Sequence, residues 1–170
     1  MTAVLHRSFA ALAIALVAGA SHAGGLDIHA DADAADVGLP AYPGAIKKND
    51  RSGDPSGFSF GLWGGTFGIR LAVVSYRSVD SVDKVAAFYR DALAKYGPVL
   101  DCTHNQKGSS QRHDDKADKD KPVTCDNDTV EAGGRLYKVG TNRAQRVFKA
   151  TPWHDGVTFE LVRVEEHGTD

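Results

Sequence analysis

Residues 58–96 read FSFGLWGGTFGIRLAVVSYRSVDSVDKVAAFYRDALAKY, and within them the spacing of apolar residues changes from two to three-and-four. Phe58, Phe60 and Leu62 alternate with smaller residues, as in a half-buried strand, and Phe67, Ile69, Leu71 and Val73 alternate again. Gly64-Gly65 between the two runs suits a tight hairpin turn. The stretch from Phe58 to Arg77 therefore reads as a β-hairpin with a long second strand. Val82, Val85, Ala86, Tyr89, Leu93 and Tyr96 then fall on one face of an α-helix. Asp80 stands where an N-cap belongs, Asp83 sits near the positive end of the helix dipole, and Gly97-Pro98 is a stop signal. A helix is expected over Ser81 to Tyr96, with its apolar face on the sheet.

Downstream, Val99 to Cys102 reads as a short strand. Residues 103–121 hold almost no apolar side chain and are expected to form an exposed charged loop. Val123 to Cys125 resumes structure, Leu136 to Val139 is a strand, and Gly140 to Gln145 is turn-like. Val147 to Ala150 and Val157 to Val164 form a final hairpin, its turn holding Pro152, Trp153, His154, Asp155 and Gly156. Upstream, Tyr42-Pro43-Gly44-Ala45 fits a type II β-turn, with proline at the second position and glycine at the third. Strands joined by such short connections must be antiparallel. The expected class is α+β: a two-layer domain in which one main helix packs on a mainly antiparallel sheet.

The N-terminus has the three parts of an export signal: His6 and Arg7, an apolar run from Phe9 to Gly19, and Ser21-His22-Ala23 as a cleavage site. The run is shorter than the roughly 20 residues that span a bilayer, and no later stretch of the mature chain reads as a membrane span. Cleavage near Ala23 predicts a periplasmic or secreted protein. Removing 23 of 170 residues leaves 147, enough for one domain with a core. Residues 24–37, short, acidic and alanine-rich, read as a flexible leader, and 38–167 as the single domain. Loss of Arg7 leaves 19 basic against 22 acidic residues, a net charge of −3, which argues against nucleic acid as a partner.

Export places the two cysteines, Cys102 and Cys125, in an oxidising compartment, where one pair reads as one structural disulfide. Closing a loop of that size stabilises by about 3 kcal/mol. The glycines from Gly61 to Gly68 lack the spacing of either phosphate-binding motif, and no G-x-S-x-G elbow occurs. No cofactor is implied. His29 and Asp31 in the leader, and His113 and Asp114 in the charged loop, are the weak candidates for metal ligands. Tyr42, Trp63 and Trp153, aromatics beside turns, are the candidate contact surface.

Taken together, Leu39-Pro40-Ala41-Tyr42-Pro43-Gly44-Ala45, the segment from Ser78 to Arg90 with its Phe88-Tyr89-Arg90, and Gly156 to Val162 resemble an uncharacterised family of small exported bacterial proteins. The family has a "YPGA" opening and a Phe-Tyr-Arg helix. The resemblance covers about residues 38–164 and implies an exported α+β domain, with no reaction attached. The expected role is a non-enzymatic, envelope-associated binding or accessory protein whose partner is an envelope protein or polymer. Two alternatives stand beside it. One is a hydrolase of an envelope polymer using dispersed carboxylates such as Glu160, Glu131 or Asp155, and the other is a weak metal-binding protein.

Overall fold

The computed structural model describes residues 24–48, 56–104, 119–125 and 128–168. The expected export signal, most of the charged loop, His113 and Asp114 lie outside these residues. In chain order the elements are β1 (Gly25–His29), α1 (Ala34–Val37), β2 (Ile46–Lys47), β3 (Gly57–Gly64), β4 (Phe67–Ser78) and α2 (Val82–Leu93). A single 3-10 turn (Ala94–Tyr96) extends α2. Then come β5 (Leu100–Asp101), β6 (Arg135–Thr141), β7 (Ala144–Trp153) and β8 (Gly156–His167).

All strand pairings are antiparallel, and they join into one sheet of order β1-β3-β4-β8-β7-β6-β5. The two-residue β2 pairs with the end of β4 (Ile46 to Arg77, Lys47 to Tyr76) and so continues the line of β3. One main helix on a mostly antiparallel sheet agrees with the sequence reading. The predicted type II turn is present: Ala45 N–H donates to Tyr42 O at 3.1 Å, with Gly44 at φ 76°.

Several details differ from expectation. The β3–β4 turn is Gly65-Thr66, one residue later than Gly64-Gly65, because Gly64 still pairs with Phe67. Gly65, at φ 58°, takes the first central position, where a type II′ turn needs a positive φ. Pro152, Trp153 and Gly156 belong to the strands, which leaves only His154-Asp155 as the last turn. The N-cap of α2 is Ser81, whose Oγ accepts from Lys84 N–H at 3.3 Å. Asp80 is drawn away by Tyr42 Oη, which donates at 2.7 Å, and by Lys84 Nζ at 2.8 Å.

The largest correction concerns residues 24–37, predicted as a flexible leader. Gly25–His29 is an edge strand, and Ala34–Val37 is a helical turn closed by a capping box between Asp33 and Asp36. Val37 is fully buried. Ala34 N–H donates to Tyr76 Oη at 3.0 Å, and Arg146 Nε donates to Val37 O at 2.9 Å. Backbone pairing, caps and one deep valine hold this segment, and an apolar count registers none of them.

The core fills one side of the sheet. Tyr89 of α2 stacks on Phe148 (centroids 5.0 Å apart), which stacks on Tyr137 at 5.7 Å, and Tyr76 stacks on Phe159 at 5.5 Å. Val85, Ala86, Ala92 and Leu93 complete the buried stripe of α2, with Val37 at the end of α1 and Leu39 just beyond it. The disulfide Cys102–Cys125 is formed, with Cα atoms 5.3 Å apart. It ties the end of β5 to a segment in which Pro122 bridges Thr141 of β6.

Candidate functional site

Alternation and register assign every strand residue to one of two faces. Ala72, Val74 and Tyr76 of β4 point into the core, so Ile69, Leu71 and Val73 point away from it. Pairing carries the outward assignment to Phe58, Phe60 and Leu62 of β3, Leu26 and Ile28 of β1, Val162 and Val164 of β8, and Val147 of β7. The large residues of the hairpin, which pattern alone reads as the buried set, thus line the face away from the helices. The buried set is the smaller one, because α1 packs close over Ala72, Val74 and the polar end of Tyr76.

Among the described residues, neither helix covers this face. Leu26 is 62% exposed, Ile28 56%, Phe67 46% and Leu62 41%, with Phe58 just behind. Phe60, Ile69, Leu71, Val73, Val162 and Val164 are half-buried between their neighbours. The result is a continuous apolar strip on β1, β3, β4 and β8. The charges at its margin come in opposite pairs. Lys149 lies across from Glu160, Lys119 meets Glu166, and Lys138 Nζ is 2.6 Å from Asp128 Oδ2. At the β6 edge Leu136, Cys102 and Val123 are buried.

The same face ends in a tryptophan ridge. Trp153 carries the Arg77 guanidinium 4.4 Å from its ring centroid and separates two grooves. One, of about 360 Å³, holds Glu131, Glu160, Lys48 and Lys149, and the other, of about 470 Å³, is walled by Ile46, Val79 and Asp155.

The helix side of the sheet holds a smaller cleft of about 200 Å³ between β1, β3 and α1. There His29 Nε2 lies 2.8 Å from Asp27 Oδ1, and Arg70 and Arg163 complete the wall. Beside it Glu165 is shared by Arg163 Nη2 at 2.6 Å and Arg146 Nη2 at 3.4 Å. Burial works to raise its pKa, but hydrogen bonding from Arg163 and the charges of Arg163, Arg146 and His167 hold the carboxyl below its usual range.

The structure scatters most of the candidates read from sequence. Tyr42 is buried, edge-on to Phe88 at 5.1 Å, and burial together with its bond to Asp80 pushes its phenol pKa up. It therefore offers no contact surface. Trp63 pairs opposite Gly68, at the start of β4, and Trp153 opposite Gly156, beyond its far end. About ten residues of strand, roughly 33 Å, separate those ends. Asp31 accepts from Lys47 Nζ through its backbone oxygen at 2.7 Å. Cys102, Cys125 and Asp128 are the one metal-sized ligand group among the described residues, and both sulfurs are committed to the disulfide. Glu131 and Glu160 do share a groove, while Asp155 lies in the neighbouring one. The apolar face was missed as a site although its residues were noted. The available signal was the run Leu71-Ala72-Val73-Val74, apolar on both faces of a strand.

Comparison with protein-family models, with curated proteins and with solved structures returns no match.

Proposed function

We propose that the protein is an exported, non-enzymatic binding or accessory module of the cell envelope. In this reading its two-layer architecture sets the helices on one side and leaves the apolar sheet face as a docking surface. The observation that carries the reading is the strip itself. Contiguous exposed apolar patches larger than a few hundred Å² are uncommon on monomers and mark interaction sites when polar residues rim them. The formed disulfide is compatible with an oxidising compartment, and the N-terminal signal pattern and the resemblance to exported proteins point the same way.

The test is site-specific photo-crosslinking in intact producing cells. A crosslinker at Leu62 is expected to give discrete adducts, and one at Lys95, exposed at the end of the helix layer, is expected to give none. Equal patterns at the two positions, or no adduct at either, refute the docking face.

Glu131 and Glu160, facing one groove beside Trp153, support a second reading as a polymer hydrolase. Cleavage of envelope polymer by the purified protein, abolished by Glu160→Gln, would establish it. Absence of cleavage removes it.

A further inference from the structure

We infer that the occupant of the apolar face is the same face of a second copy of this chain, giving an isologous dimer of stacked sheets. The inference rests on the docking reading and names the partner. Size is the first argument. Four strands about 4.8 Å apart, contributing about seven residues of 3.3 Å each, outline a face of roughly 19 by 23 Å, on the order of 440 Å² per copy. Two such faces bury on the order of 880 Å² in projection, close to the roughly 1,000 Å² of accessible surface a specific interface requires. Side-chain corrugation adds to that area.

Charge is the second argument. A cationic or anionic partner would call for a rim of one sign, whereas this rim mixes signs: Lys119 pairs with Glu166 and Lys138 with Asp128, and Lys149 stands in register with Glu160. A surface with so little field of its own matches a copy of itself, and a formal net charge of −3 on the processed chain sets up little repulsion between copies. Shape is the third. Small apolar ligands take concave sites that enclose them, while this strip is a sheet surface, and sheets bury such surfaces against other sheets about 10 Å away.

Two-fold symmetry makes one position diagnostic. Phe60 and Leu71 are cross-strand partners at the middle of the strip. In an isologous contact a residue near the axis meets its own counterpart. Leu71→Glu therefore sets two carboxylates together and Leu71→Lys two ammonium groups, whereas an equal mixture sets one against the other.

The experiment is sedimentation of the protein purified from the producing cell in the form that cell leaves it, with far-ultraviolet circular dichroism melts on every variant. The expected result is twice the chain mass for the unmodified protein. Each single variant is expected at the chain mass, its dissociation constant weakened by about 100-fold or more, and the mixture returns to twice the chain mass. If a Leu71 variant melts early, the same pair of substitutions at its cross-strand partner Phe60 replaces it. The unmodified protein at chain mass up to about 100 μM, where a specific dimer is populated, overturns the inference, as does a dimer that both single variants leave intact or a mixture that fails to re-form it. A monomer whose Leu62 crosslinks to another molecule overturns self-association and leaves the docking reading standing. A monomer with no such crosslink overturns both.

Discussion

Replacing Val37 with alanine tests whether the segment before residue 38 belongs to the fold. Val37 is fully buried, in the cluster that also contains Val74, Tyr89 and Phe159. The substitution removes two methyl groups, about 0.8 kcal/mol each in transfer, and leaves a cavity that the cap of α1 and the Arg146 bond to Val37 O restrain from collapsing. The expected loss is about 2–3 kcal/mol, or a melting midpoint roughly 6–12 °C lower for a domain of this size. Urea unfolding followed by tyrosine and tryptophan fluorescence gives the value directly. The exposed Asp31→Ala is the control, expected to stay within about 0.5 kcal/mol. A Val37→Ala protein as stable as that control would mean that the segment is only loosely apposed, and the docking of α1 would have to be abandoned.

Three further outcomes follow from the geometry. Cys102→Ser with Cys125→Ser should lower the unfolding free energy by about 3 kcal/mol, and the unmodified protein, denatured without reductant, should titrate with no thiol. Because the Glu165 carboxyl is held below its usual pKa in the folded state, its contribution is fully present above the unfolded value of 4.5 and is lost as pH falls through the folded one. Glu165→Gln should therefore cost about 2 kcal/mol at pH 7 and progressively less towards pH 3, and a pH-independent difference in urea midpoints would contradict this. Ser81→Ala should cost about 1 kcal/mol of stability while Ser81→Asp, another good cap, costs little. Equal losses from both would return the cap to Asp80.

What the sequence disclosed was mostly local. The 3.6-residue spacing from Val82 to Leu93, the Pro43-Gly44 turn and the two long hairpins follow from period and turn chemistry, which act over a few residues. The disulfide was legible because only one pairing exists. Two things were not. Residues 24–37 carry little apolar content, so nothing in their composition announces that Val37 fills a hole between sheet and helix or that Gly25–His29 finds an open sheet edge. Alternation in the β3–β4 hairpin likewise marks two faces without saying which is inside, because the face that is buried depends on where the helices land. Ala72 and Val74 are small enough for α1 to lie close, and that choice turns Phe60, Leu62 and Leu71 outward. The candidate site was therefore hidden in plain alternation. Tyr42 shows the converse: beside a turn it reads as exposed, but its ring fills the gap between Phe88 and Phe159.

The disulfide also bears on what the chain can tolerate. With Cα atoms 5.3 Å apart, Cys102 and Cys125 bring the two ends of the segment between them side by side on the β5–β6 edge. Lys119 and Asp120 are already anchored to Glu166 and Arg143. Once the bridge has formed, a longer or unrelated peptide between residues 104 and 119 adds no new closure for the rest of the domain to bear, since loop entropy grows only with the logarithm of length. The same scaffold could carry very different insertions at that edge, varied one against another while the core is left untouched.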